Sequence, residues 1–264
     1  FNGDCRSDIW FDGPGNQRDR QWQGRRDRTF RKVAGDQPGA YEHQVVGDFD
    51  GDRVSDILWY GPGAAPDRLW RGTRYGFVPQ PLSMGGDYEP FTGDFDGDHR
   101  DDVFWYGPGE APDRLWYGRA EGFTTGDVAF PLVADPVVGD FHGDDRSDIV
   151  WLRSGQAGHR VWTGRASREF RGYSVALDRP YPLPAAGDFD GDLEDDIVWH
   201  ASNLDPYPSG NGFAHPPIPG AAWNPIAVVD AGFRTWVETV ATIGVEVRPD
   251  DGTAAINPRS GGML

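Results

Sequence analysis

The chain has 264 residues, 38% of them hydrophobic and 13% aromatic, with 37 glycines, 22 prolines and a formal net charge of −17. That length can bury a sizeable core, while the negative charge disfavours nucleic acid and anionic membrane, both polyanions, as partners. No apolar run approaches the ~18 residues of a membrane span, and the longest candidate, 235–247, contains Glu238 and Glu246. The lone Cys5 leaves no internal disulfide framework.

In chain order, one unit recurs. The chain opens inside it with FNGDCRSD, and fuller copies follow: GDFDGDRVSD from Gly47, GDFDGDHRDD from Gly93, GDFHGDDRSD from Gly139 and GDFDGDLEDD from Gly187. Phe1 matches Phe49, and the copies lie 46 to 48 residues apart. Each acidic loop leads into a short apolar run: DIWF, DILWY, DVFWY, DIVWL, DIVWH. A glycine-rich turn follows in most copies, then a second run with Arg and Trp: DRQW, DRLW twice, HRVW. Such β-branched and aromatic runs between Gly, Pro and Asp clusters predict strands, and no helical period is sustained. In the second copy the strands are expected at Val45–Phe49, Asp56–Tyr60, Arg68–Arg71 and, more weakly, Phe77–Leu82.

Four strands per 40–50 residues predict an all-β fold, a β-propeller of four-stranded blades forming one domain over 1–264. Five units are clear, with acidic loops at 1–8, 48–56, 94–102, 140–148 and 188–196, and a divergent closing segment at 201–264. Two closures fit the tail. In the first, residues 204–232 finish the fifth blade and 235–247 supply the first strand of the opening blade. In the second, 223–250 form a degenerate sixth blade. Because the chain opens within a repeat, an N-terminal segment is expected to precede Phe1.

The loops predict a metal. With Asp48 as position 1, carboxylates fall at positions 1, 3, 5 and 9: Asp48, Asp50, Asp52 and Asp56. Like charges that close repel, and Gly51 at position 4 permits a tight curl that turns them inward together. With the backbone carbonyl of position 7, Val54, the donors are all hard oxygens in the number that suits Ca²⁺. Without Cys or clustered His, zinc is not expected. Glycine at position 4, not 6, and no Glu at 12 separate the loop from an EF-hand. The same positions are Asn2, Asp4 and Asp8 in the first copy and Asp94, Asp96, Asp98, Arg100 and Asp102 in the third. They are Asp140, His142, Asp144, Arg146 and Asp148 in the fourth, and Asp188, Asp190, Asp192, Glu194 and Asp196 in the fifth. Up to five ions are expected, with the first and fourth sites weakened by Asn2 and His142 at position 3. Five divalent ions would bring −17 to about −7, an ordinary surface value.

The pattern D-x-D-G-D-x-x-x-D, followed by an apolar strand and GPG, resembles the FG-GAP/VCBS repeats of integrin α-subunit propellers and of many secreted bacterial proteins. The resemblance covers about residues 1–200. It implies a calcium-bearing β-propeller, extracellular, used in adhesion or as a lectin-like module; the chain departs from the usual seven blades.

Two tryptophan columns, Trp10, Trp59, Trp105, Trp151, Trp199 and Trp22, Trp70, Trp116, Trp162, are expected to pack blade against blade. The candidate ligand-binding residues are Arg20, Arg68, Arg114 and Arg160 before the second tryptophan, Tyr60 and Tyr106 at the GPG turn, and Tyr41, Tyr88 and Tyr181 in the connections. Recognition is expected on the GPG face, opposite the metal loops, since loops on a rigid scaffold carry it. The expected function is a secreted binding module for a glycan or protein surface. The alternatives are a propeller enzyme acting on polysaccharide as lyase or glycosidase, and a non-catalytic structural module; no catalytic constellation stands out.

Overall fold

Short apolar runs broken by Gly, Pro and Asp cannot sustain a helix, and each folds instead as one rung of an antiparallel meander. The computed structural model describes residues 1–11, 19–34, 41, 43–63, 67–108, 112–153, 158–175, 184–188, 192–199, 212–213 and 226–227. Every regular element among them is a strand. The first sheet contains β1 (Ile9–Phe11), β2 (Arg20–Gly24) and β3 (Phe30–Ala34). The second contains β4 (His43–Gly47), β5 (Asp56–Tyr60), β6 (Asp67–Thr73) and β7 (Gly76–Leu82), and the third β8 (Glu89–Gly93), β9 (Asp102–Tyr106), β10 (Arg114–Gly118) and β11 (Phe123–Asp127). The fourth contains β12 (Asp135–Gly139), β13 (Asp148–Leu152), β14 (His159–Thr163) and β15 (Arg171–Val175). Two-stranded pairs follow: β16 (Pro184–Gly187) with β17 (Asp196–Trp199), and β18 (Gly212–Phe213) with β19 (Ile226–Ala227). The predicted four-strand unit is thus present three times, in chain order within each sheet.

The chain divides into two compact units, Phe1–Asp94 with Asp98–Leu132, and Phe95–Gly97 with Val133–Leu264. In the first unit, Leu58, Tyr60 and Leu69 of the second sheet pack with Val103 and Trp105 of the third. A second cluster there joins Phe1 and Trp10 to Ile57, Trp59, Trp70 and Phe77. In the second unit, Val137, Val150, Leu152 and Val161 enclose Phe141 with Ile197. Strands β5, β9 and β13 are buried along their whole length, which is why they read as unbroken apolar runs and not as alternation. Strand β7 carries Pro79 and Pro81 and is mostly exposed. A proline donates nothing to a ladder, so an outermost strand is where it is tolerated.

Register repeats as faithfully as sequence. Each described acidic loop between paired strands closes on a glycine opposite an aspartate: Gly47–Asp56, Gly93–Asp102, Gly139–Asp148 and Gly187–Asp196. The first strand of the second copy ends at Gly47, two residues earlier than expected. Phe49 leaves the ladder to plug the core beneath the loop, fully buried and edge-on to Phe123 at 5.5 Å. Strand β6 runs further than expected in both directions. Most of the closing segment, including 235–247 and all of 223–250 except Ile226–Ala227, lies outside the described residues, so neither closure is addressed.

Candidate metal centre

Where they are described, the acidic loops share one backbone. Glycine at position 4 has positive φ wherever it is described: Gly3 +68°, Gly51 +78°, Gly97 +76°, Gly143 +66°. Position 6 is also left-handed, and there no glycine is used: Cys5 60°, Arg53 67°, His99 64°, Asp145 61°, Leu193 77°. Such residues are uncommon in this region, and five at one loop position show that the surroundings impose it. The sequence gives no hint, because five unrelated side chains occupy the position.

Position 1 organises the loop. Asp48 Oδ1 accepts from the backbone N–H of Gly51 at 2.8 Å and Asp52 at 3.1 Å, and Oδ2 from Arg53 at 2.8 Å. Asp94 accepts in the same way from Asp98 and His99, and Asp140 from Asp144 and Asp145. In the fifth loop Asp188 accepts from Leu193 at 3.3 Å. Position 5 then accepts from the N–H of position 7, as Asp4–Arg6, Asp52–Val54, Asp98–Arg100, Asp144–Arg146 and Asp192–Glu194.

Position 9 reaches furthest. Asp8, Asp56, Asp102 and Asp148 each accept, through Oδ1, from the N–H of a glycine 16 residues on: Gly24 at 2.8 Å, Gly72 at 2.7 Å, Gly118 at 2.9 Å and Gly164 at 3.0 Å. Asp56 Oδ2 also accepts from Phe49 N–H at 3.2 Å and Asp148 Oδ2 from Phe141 N–H at 3.1 Å. In the second loop this carboxylate, at the start of β5, therefore ties the loop backbone to β6.

Adjacent loops interlock. Asp101, at position 8, accepts from Asp48 N–H at 2.7 Å and returns its own N–H to the Asp48 carbonyl at 2.9 Å. In the second unit Asp195 does the same with Asp140, at 2.9 and 2.7 Å. The side chain at position 7 covers the glycine of the preceding loop: a Cβ on Gly51 would meet Arg100 at 3.1 Å, and one on Gly143 would meet Glu194 at 3.1 Å. Val54 lies over Gly3 and Arg146 over Gly97 in the same way.

Burial makes these charges costly. It raises the carboxyls of Asp48 and Asp140 above their usual range, pushes Asp56 up to about 7 and Asp101 to about 6, and raises Asp195 to about 7. In the second loop, one oxygen each from Asp48, Asp50 and Asp52 lies within 4.8 Å of the others. This donor set is all hard oxygen and fits a calcium ion. Arg71 also enters there, its Nη1 2.7 Å from Asp50 Oδ2 and 3.5 Å from Asp56 Oδ2. In the third loop Asp94, Asp98 and Asp102 belong to the first unit and Asp96 to the second, where Asp96 pairs with Arg168 at 2.7 Å.

The fourth loop is different. His142 Nδ1 lies 2.8 Å from Asp148 Oδ2 and Nε2 3.1 Å from Asp144 Oδ2. The bond to Asp148 raises this imidazole to about 9, so a cation belonging to the chain stands where other loops have a position-3 carboxylate. Arg146 adds a second at Asp144. These contacts do not suit a calcium ion in that loop. In the first loop Asn2 and Asp4 are exposed or half-buried, and Asp4 is paired with Arg6 at 2.8 Å. Asp190 and Tyr181 lie outside the described residues.

The residues proposed for ligand recognition scatter. Tyr60 and Tyr106 are fully buried, their hydroxyls donating to the carbonyls of Gly86 at 2.9 Å and Leu132 at 2.6 Å. Tyr88, expected to be exposed, is instead buried against Trp105. An aromatic after a Gly-Gly-Asp turn looks free in sequence, but its N–H is held by the Tyr60 hydroxyl at 3.2 Å. Tyr41 is half-buried and accepts from Arg68 Nε at 3.1 Å, whereas Arg20, Arg114 and Arg160 are exposed along their strands. Among the described residues of this set, only Tyr41 with Arg68 and the buried Tyr60 with Tyr88 come together. Of the tryptophan columns, Trp10 of the first sheet packs edge-on to Trp59 and Trp70 of the second, whereas Trp59–Trp70 and Trp105–Trp116, the latter at 4.9 Å, pair within one sheet.

Sequence reading missed a second set of buried acids. Asp67 accepts from Gly61 N–H and Met84 N–H, and Asp113 from Gly107 N–H and Phe130 N–H, pinning the GPG turns. In the fourth copy His159 replaces the aspartate and accepts from Arg153 N–H at 3.0 Å, burial holding the imidazole below its usual range and so neutral. The signal was the Asp in DRLW, always two residues before the buried leucine. Comparison with known proteins finds no matching family model and no similar curated protein.

Proposed function

We propose that this chain is a calcium-braced β-propeller that serves as a secreted binding module for a saccharide or protein surface. The carrying observation is the convergence of the Asp48, Asp50 and Asp52 carboxylates within 4.8 Å in a loop where burial raises the cost of the Asp48 charge. A divalent cation offsets that cost. Three further features support the reading: the shared loop backbone, the reciprocal bonds between neighbouring loops, and the sheets of four antiparallel strands that the repeat predicts. The second loop is the best formed site. The fourth, with His142 and Arg146 already paired to its aspartates, is left without an ion in this reading. Loops of modest affinity suit the millimolar calcium outside cells, which is the basis for secretion.

The test is calcium titration of metal-stripped protein by calorimetry, with thermal melting alongside. Calcium at 100 times its dissociation constant contributes about 2.7 kcal/mol per site, so a rise of several degrees is expected, reversed by EDTA and not reproduced by magnesium. An unchanged melting temperature overturns the proposal.

A further inference from the structure

The described residues of the first unit enclose a cleft of roughly 600 Å³ that no expectation from sequence included. One wall is aromatic: Trp10, Trp70 and Phe77, which pack edge-on to one another at 5.6 to 5.9 Å or tilted at 5.4 Å. The other wall is polar, with Gln21 and Gln23 of β2 and Arg31 of β3. At its mouth stands the β6–β7 turn, Arg74 and Tyr75, and Tyr75 is 92% exposed, the most exposed large hydrophobic side chain described. Because Gly72 N–H bonds Asp56, this turn lies at the acidic-loop end of its sheet, not the GPG end where recognition was expected.

The two charged side chains that line the cleft, Arg31 and Arg74, are both cationic, the reverse of the chain's net charge. Residues 25–32, RRDRTFRK, present Arg25, Arg26, Arg28, Arg31 and Lys32 against one acid, Asp27, in a chain of net −17, and all six are exposed. Five arginines elsewhere, Arg6, Arg71, Arg100, Arg146 and Arg168, pair with aspartates of the acidic loops. Neither Arg31 nor Arg74 enters an ion pair among the described residues. Guanidinium forks match carboxylate and sulfate oxygens in two-point geometry. Amide side chains supply both donors and acceptors for hydroxyls. An exposed aromatic at the mouth offers a flat apolar platform for the C–H face of a ring. Together these three features match a sugar ring that bears an acidic group.

We infer that this cleft binds an anionic saccharide, a uronate- or sulfate-bearing glycan, with Tyr75 as the stacking platform, Arg31 and Arg74 on the acidic group, and Gln21 and Gln23 on hydroxyls. The inference deepens the binding-module reading, resting on its claim that the chain recognises a surface ligand, and is independent of the metal.

The test uses the full chain in calcium with four probes by calorimetry: a heparin-derived hexasaccharide, an oligogalacturonate, cellohexaose and a single-stranded DNA of matched charge. One of the two acidic saccharides is expected to bind at least tenfold more tightly than cellohexaose and DNA, the better one identifying sulfate or carboxylate. Tyr75→Ala and Arg74→Ala should each weaken that binding about tenfold while the melting temperature stays unchanged, and Arg74→Lys should recover part of the loss. Equal binding of cellohexaose leaves the module reading standing but overturns the acidic assignment. DNA bound as tightly as either saccharide overturns the sugar assignment. Wild-type affinity in both Ala variants overturns the site, and no binding of either acidic probe overturns the inference as a whole.

Discussion

Asp101 and Asp48 exchange two hydrogen bonds across successive repeats, the Asp101 carboxylate taking the Asp48 N–H at 2.7 Å and the Asp48 carbonyl taking the Asp101 N–H at 2.9 Å. The same exchange joins Asp195 to Asp140. It also explains two glycines: a Cβ on Gly47 would meet the Asp101 Cβ at 2.8 Å, and one on Gly139 the Asp195 carboxylate at 2.8 Å.

Burial holds the Asp101 carboxyl up at about 6 and Asp195 at about 7, against 3.8 when unfolded. A raised carboxyl contributes stability that is fully present below the unfolded value and is lost as pH rises through the folded one. Asp101→Asn keeps an acceptor oxygen and removes the charge. In EDTA, urea midpoints of this variant relative to wild type should therefore climb between about pH 4 and pH 6 and level off above that. Asp101→Ala leaves the Asp48 N–H unpaired and should cost about 1–3 kcal/mol. A pH-independent difference for the Asn variant would contradict the account.

Arg71 competes with any cation for Asp50 and Asp56. Arg71→Met keeps the apolar stem and removes the guanidinium. Calcium titration should show one site tightened severalfold, whereas the metal-free melting temperature should fall. Tightening without that loss would mean the guanidinium braces nothing.

His142→Asp restores the position-3 carboxylate in the fourth loop. Calorimetry should report one more calcium per chain than wild type. In wild type the His142–Asp148 pair stabilises the fold with the imidazolium present; this contribution is whole below the unfolded histidine value of 6.5 and is lost as pH rises through about 9. Metal-free His142→Ala should accordingly differ most from wild type near pH 6 and least near pH 10.

Gly72 must lack a Cβ because one would meet the Ser55 carbonyl oxygen at 2.3 Å. Gly72→Ala should destabilise by about 2 kcal/mol or more, as overpacking does, and Gly118→Ala should behave alike, its Cβ meeting the Asp101 carbonyl at 2.5 Å. Gly85→Ala, with open space around it, serves as the control. Thermal melts of the three variants distinguish the cases.

Tyr60→Phe removes the hydroxyl that bonds the Gly86 carbonyl and the Tyr88 N–H. A loss of about 1–3 kcal/mol is expected for the donor left unsatisfied, with saccharide binding unchanged, since the ring is buried. Reduced binding at unaltered stability would return Tyr60 to the surface role first expected of it.

Much of this protein is written one repeat at a time. The strand runs, the buried DILWY, DVFWY and DIVWL centres, and the odd-numbered aspartates are local patterns, and a period of 46 to 48 residues makes each legible five times over. What escaped reading was of two kinds. Position 6 carries Cys5, Arg53, His99, Asp145 and Leu193, so its left-handed backbone leaves no residue signature. The acids at position 8 and in DRLW look like surface charge, and those at position 9 were read only as metal ligands, yet their partners are backbone N–H groups that carry no identity in a sequence.

Sequence alone thus determined the repeat, the strand order within each sheet and the acidic chemistry, because these depend on neighbours a few residues apart. Only the tertiary structure decided which carboxylates converge and which brace backbone, that His142 and Arg71 pair with loop aspartates, and that Tyr60 and Tyr88 are buried while Tyr75 is not. Most of those outcomes depend on groups 15 to 55 residues apart along the chain, and a hydrogen bond to a peptide N–H is blind to the side chain that the sequence records there.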